Sequence, residues 1–121
     1  MRHAKRGRKL SRDAQHRTLM LGTMAGQLIQ HGRIKTTAPK AKELRGVVDR
    51  LLNTAKKDDL AARRQAVTVL KDKTIVRKLF EDVAPELDDR DSGYTRILKL
   101  EPRLGDGAEQ VYLELVNHTV E

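Results

Sequence analysis

Apolar residues recur at helical spacing through the first two thirds of the chain and at every second position in the last third. Ala14, Thr18, Leu21, Ala25 and Leu28 follow one another at steps of four, three, four and three, the spacing of one helix face. Met20, Met24 and Ile29 widen that stripe. Ser11 is the predicted N-cap, with Asp13 in the first turn, where a negative charge suits the helix dipole. Gly32 is placed to end the helix at C′. Gly22 and Gly26 sit inside the run at a cost of about 1 kcal/mol each relative to Ala, which points to a close-packed neighbour.

Arg33–Thr37 is β-branched and alternating, and predicts a short strand. Pro39 then fits the first turn of a second helix over 39–56. Its stripe is Ala41, Leu44, Val48, Leu51 and Ala55, while Lys40, Lys42, Arg45 and Arg50 fall largely off it. One face is to be buried and the other basic. Asp58 or Asp59 caps a third helix ending near Lys71, and Thr74 a fourth, closed by Pro85. Residues 81–91, with six acids and one base, read as a solvated turn.

After that turn the period changes. Tyr94–Leu100 and Gln110–Val116 are strand-like, and Val111, Leu113 and Leu115 alternate with Tyr112 and Glu114, giving one buried and one wet face. Glu101–Glu109, with Pro102, Gly105 and Gly107, predicts the loop of a hairpin. Together these elements predict an α+β fold of about four helices packed on a small, three-stranded sheet.

Charge adds a second layer. Residues 1–50 hold 13 basic and 3 acidic side chains, whereas 51–121 hold 12 and 14, so the net charge of +8 belongs to one end. The first seventeen residues carry seven Lys or Arg against Asp13 alone. Such a run cannot bury enough apolar area to offset its own ordering, and its charge density suits a polyphosphate backbone. The expected organisation is a basic, extended N-terminal arm over 1–10 and one RNA-binding domain over 11–121.

Candidate chemistry changes this picture little. The absence of cysteine excludes disulfides, thiol catalysis and cysteine zinc sites. His3, His16, His31 and His118 are scattered, and Asp88, Asp89 and Asp91 lack the glutamate spacing of a calcium loop. Neither a nucleophile elbow nor a P-loop lysine is present. The expectation is a non-enzyme without metal or cofactor. Phe80, Tyr94 and Tyr112 are too few for single-stranded base stacking, so folded RNA or duplex is the expected target. Tyr94-Thr95-Arg96 offers a ring, a hydroxyl and a guanidinium at a strand entrance. On spacing alone, Tyr94 packing on the core with Arg96 paired to an acid is an equal alternative. No apolar run approaches the ~18 residues of a membrane span, and the charged N-terminus lacks the apolar stretch of a secretion signal, so the cytoplasm is the expected location.

Several segments resemble the family of bacterial large-subunit ribosomal protein seventeen. They are Met1-Arg-His-Ala-Lys-Arg-Gly-Arg-Lys-Leu-Ser-Arg12 with His16-Arg17, Lys35-Thr-Thr-Ala-Pro-Lys-Ala-Lys-Glu-Leu-Arg45, and Gly93-Tyr-Thr-Arg-Ile-Leu-Lys99. Gly105-Asp-Gly-Ala108 and Glu114-Leu-Val116 also match, so the resemblance runs from end to end. One departure is Ser92, where the family usually has a second glycine.

The resemblance implies a structural constituent of the large subunit, bound to large-subunit ribosomal RNA on the solvent side near the peptide exit, beside other large-subunit proteins. It implies no activity and no cofactor. The family's RNA-contacting arm falls on Arg2, His3, Lys5, Arg6, Arg8, Lys9, Arg12, His16 and Arg17. Its second segment falls on Lys35, Thr36, Thr37 and Lys40, its third on Tyr94, Thr95 and Arg96, and Lys42 joins them from the basic helix face. Two rivals stand beside this reading. A nucleoid-type DNA-binding protein needs a legible groove-reading helix or dimer spacing, and a membrane-surface helix needs Trp or Phe beside its cations.

Overall fold

A computed structural model describes residues 2–117, with side chains from Ala14 onward. The order is α1 (Arg2–His31), β1 (Arg33–Thr37), α2 (Ala38–Lys57), α3 (Leu60–Leu70), α4 (Lys73–Lys78), a π-helical turn (Leu79–Val83), α5 (Ala84–Glu86), β2 (Thr95–Lys99) and β3 (Gln110–Leu115). The last helical pieces run on from one another, so four helical rods pack on one sheet. That is the expected α+β architecture.

The first helix starts earlier than predicted. Its backbone is helical from Arg2, not from a cap at Ser11. The intervening residues are mostly Arg, Lys and Ala, good helix formers that extend an existing helix at little cost. The stripe also packs later than its period suggested: Ala14 and Thr18 are exposed, and burial begins with Leu21 and continues through Ala25, Leu28 and Ile29. Gly32 ends the helix as predicted, its N–H donating to the Leu28 carbonyl at 2.7 Å. A Cβ on Gly22 would collide with the Val69 carbonyl oxygen of α3, and one on Gly26 would stand 3.2 Å from Ile75 Cδ1. The two glycines are what lets α1 lie against α3 and α4.

In α2 the predicted stripe is the buried one, Ala41, Leu44, Val48, Leu51, Leu52 and Ala55, with Pro39 in the first turn. Each buried leucine here is worth about 1.5–3 kcal/mol of transfer free energy. Asp59 caps α3, accepting from Ala62 N–H at 2.7 Å. Asp72, not Thr74, caps α4 and accepts from the N–H groups of Thr74 and Ile75. An Asp two residues nearer the start reaches those donors, and Thr74 becomes one of the residues being capped.

Pro85 does not stop this rod. Ala84 N–H bonds back to Leu79, five residues earlier, which widens the turn just before the proline. A proline ring in a regular helix meets the carbonyl four residues back, and a widened turn relieves that clash. Residues 81–91 are therefore only partly a solvated turn: Val83, Ala84 and Leu87 are buried, and the acids face out.

The sheet is antiparallel in the order β1-β3-β2. In register, Ile34, Leu113 and Ile97 form one row, and Arg33, Glu114 and Arg96 another. The first row faces the helices and the second faces away, because successive residues of a strand alternate sides. Ser92 costs nothing: the left-handed backbone falls on Gly93 at φ 67°, and Ser92 is not among the residues of positive φ.

Candidate nucleic-acid interface

The predicted contacts fall into three groups. Arg2, His3, Lys5, Arg6, Arg8, Lys9 and Arg12 lie on the first turns of α1 by backbone, and their side chains lie outside the described residues. The root of that arm is described. His16 and Arg17 are exposed, and Arg17 Nε stands 3.7 Å from Glu43 Oε2 on α2. Glu43 follows Lys40 and Lys42, both exposed. The helix packing thus brings the arm root beside the basic start of α2.

Lys35, Thr36 and Thr37 lead into the same start from β1, with Lys35 exposed and both threonines half-buried. Thr37 is the N-cap of α2 but makes no side-chain cap bond. The N–H of Ala38 donates instead to the Glu109 carbonyl at 3.1 Å, which fixes the strand-to-helix corner against the hairpin. Cations so placed add to the positive end of the helix dipole, a potential that favours anions.

The third group divides. Tyr94 has no exposed surface, and its hydroxyl is shared between Asn53 Oδ1 at 2.5 Å and the Arg90 carbonyl at 2.9 Å. Lys56 Nζ covers its ring at 4.8 Å from the centroid. Thr95 is buried as well, its Oγ1 without a hydrogen-bond partner among the described residues. Neither side chain is presented at the surface, which corrects the expectation that they offer a ring and a hydroxyl to a ligand. Tyr94 holds the β2 entrance against α2. Arg96 is half-exposed, and its Nε donates to Glu114 Oε1. The packing alternative therefore describes Tyr94 in full and Arg96 in part.

Sequence reasoning missed Arg33, Tyr112 and Glu114. Alternation puts Glu114 on the wet face of β3, yet it is 1% exposed, covered by Arg33 from one edge strand and Arg96 from the other. Arg33 Nε lies 3.3 Å from Glu114 Oε2, and its guanidinium stacks 3.8 Å from the centroid of Tyr112. A signal was available: Arg33 and Arg96 each sit in a predicted strand, and antiparallel pairing of both with the last strand sets them opposite one another across it.

Away from this face, Arg103 and Asp106 lock the tip of the β2–β3 loop. Arg103 Nε donates to Asp106 Oδ1 at 3.0 Å, and the Ala108 N–H reaches the same oxygen at 3.1 Å. These bonds, the one from Arg103 first, hold the Asp106 carboxyl well below the usual carboxylate range.

The Ribosomal protein L17 family profile matches residues 20–116. The chain is 84% identical to Large ribosomal subunit protein bL17 of Rubrobacter xylanophilus over the whole of both chains. It is 55% identical to the Thermus thermophilus protein of that name, over 96% of this chain and 99% of the relative. With the protein so named from Syntrophotalea carbinolica it shares 53% identity, over 96% of this chain and 75% of the relative. The profile begins beyond the arm, but the full-length relative covers it. The chain belongs to the ribosomal protein L17 family.

Proposed function

We propose that the protein is a structural constituent of the large ribosomal subunit in the cytoplasm. It binds large-subunit ribosomal RNA and neighbouring large-subunit proteins, and it catalyses no reaction. The observation that carries the RNA-binding part is the gathering of charge. The arm root at His16 and Arg17, the β1 residue Lys35 and the α2 residues Lys40 and Lys42 share one end of the molecule, joined by the Arg17–Glu43 pair.

The arm adds the greatest density of cations, through Arg2, Lys5, Arg6, Arg8, Lys9 and Arg12. Arginine suits this use because its planar fork holds phosphate with two parallel hydrogen bonds. The backbone of the arm is already helical, so RNA binding mainly fixes its long side chains, at about 0.5–1.5 kcal/mol each, and needs several phosphate contacts in return. A site where RNA helices converge supplies them better than a lone duplex.

Salt dependence tests the reading. If the arm neutralises about six phosphates, affinity for large-subunit ribosomal RNA falls roughly 10³-fold between 50 and 200 mM salt. Deleting residues 2–12 then flattens that slope, and an unchanged slope removes the arm from the interface. The DNA-binding alternative is tested alongside, by duplex DNA at matched salt. Family membership gives that alternative no support.

A further inference from the structure

We infer that the outward face of the sheet carries a second RNA-backbone contact, a two-arginine phosphate clamp formed by Arg33 and Arg96 and positioned by Glu114. The inference rests on the RNA-binding reading above and adds a site to it, on residues remote in sequence from the arm.

The arrangement is unusual for a solvated sheet face. Glu114 belongs by register to the outward row, but it is almost entirely covered. What covers it is charge of the opposite sign, arriving from both sides: Arg33 on β1 and Arg96 on β2 are its two cross-strand neighbours. Arg96 Nε donates to Glu114, and Arg33 Nε stands 3.3 Å from Oε2 as an ion pair without a hydrogen bond. Among the described residues, no hydrogen bond engages either arginine's Nη groups.

A buried ion cluster is a poor device for stability alone, since well-packed apolar residues of similar volume do as well or better. It is a good device for holding two guanidiniums still. Free arginine side chains on the two strands flanking β3 would repel one another and lose rotamer freedom on binding. Glu114 offsets the repulsion and fixes both forks beforehand, with the Nη edges left to accept a ligand's oxygens. Tyr112 adds a stacking surface under Arg33. The cluster keeps one net positive charge, and Lys35 is exposed on the same face, in register with Tyr112.

The occupant this chemistry fits is a phosphate of an RNA backbone. The convergent forks match its geometry. Through Lys35 and the β1–α2 corner the face is continuous with the basic end that holds Lys40 and Lys42. Glu114 is here a positioning residue, and the arginines are the contacts.

The test is binding of the full-length protein to in vitro transcribed large-subunit ribosomal RNA, for wild type, Arg33→Lys, Arg96→Lys and Glu114→Gln. Thermal unfolding of each variant confirms that it is folded at the assay temperature. The lysine variants keep the charge and lose the fork, so affinity should fall about tenfold with an unchanged salt slope. Glu114→Gln is the sharper probe. It makes the face more positive, which on charge alone strengthens RNA binding, whereas loss of positioning weakens it. Weaker binding supports the clamp. Equal or tighter binding by Glu114→Gln, with both lysine variants at wild-type affinity, overturns the clamp while leaving RNA binding by the arm intact. If Glu114→Gln does not fold, the two lysine variants decide. A wild-type protein that fails to bind the RNA overturns the functional reading itself.

Discussion

Gly22 of α1 lies directly against the carbonyl oxygen of Val69 in α3, with no room between them for a side chain. Replacing it with Ala raises helix propensity by about 1 kcal/mol but drives a methyl into backbone, and overpacking of that kind costs about 1–3 kcal/mol. Since a helix backbone cannot rotate aside, Gly22→Ala should lose up to about 2 kcal/mol net. At Gly26 the nearest atom is the tip of Ile75, which can give way. Gly26→Ala should leave stability unchanged or raise it by up to about 1 kcal/mol. Urea unfolding midpoints of the two variants check the opposite signs.

Tyr94 is a structural residue in this account. Tyr94→Phe removes the hydroxyl shared by Asn53 and the Arg90 carbonyl, at a cost of about 1 kcal/mol. RNA affinity and its salt slope should stay at the wild-type value. Loss of affinity at unchanged stability would show that the hydroxyl reaches a ligand instead.

The helix ends offer a gain. Lys71 ends α3 in the left-handed region at φ 60°, a conformation that costs a residue with a Cβ about 1–2 kcal/mol. Lys71→Gly should stabilise the protein by roughly 1 kcal/mol, because the greater freedom of Gly in the unfolded chain cancels part of the relief. A rise of a few degrees in Tm is the expected reading.

The hairpin tip should resist acid. Asp106 is held below the ordinary carboxylate range by Arg103 and the Ala108 N–H. A carboxyl depressed on folding contributes its full share above the unfolded value near 4, and loses it progressively as pH falls from there through the lower folded value. The Asp106 carboxyl carbon signal should therefore still report the charged form at pH 3, where freely exposed carboxyls are mostly protonated. A midpoint near 4 would mean the loop is not locked in solution.

How far the sequence could carry this depends on the range of each interaction. The α2 stripe, the sheet strands and Gly32 are local patterns, and they appear where periodicity and turn chemistry place them. Gly22 and Gly26 announced a close neighbour, but only packing names Val69 and Ile75. The cap moved from Thr74 to Asp72 because two cap formers stand close together, and choosing between them needs the backbone trace. The widened turn before Pro85 was invisible, since a proline in a helical run ordinarily signals its end. Glu114 was misplaced because alternation assigns a side chain to a face but says nothing about what lies over it, and its covers, the two arginines, come from other strands. Spacing left Tyr94 open between core packing and ligand contact, and only the fold, with Lys56 of α2 over its ring, decides for packing. The basic arm was the plainest signal of all, because charge density needs no fold to be read.

Sedimentation decides whether the protein is a ribosomal component. A lysate of cells expressing the tagged full-length chain is fractionated on a sucrose gradient before and after a high-salt wash. The expected result is recovery with the large ribosomal subunit, retained through the wash by an arm enclosed in RNA. Recovery at the top of the gradient, or with DNA after RNase treatment, would contradict it.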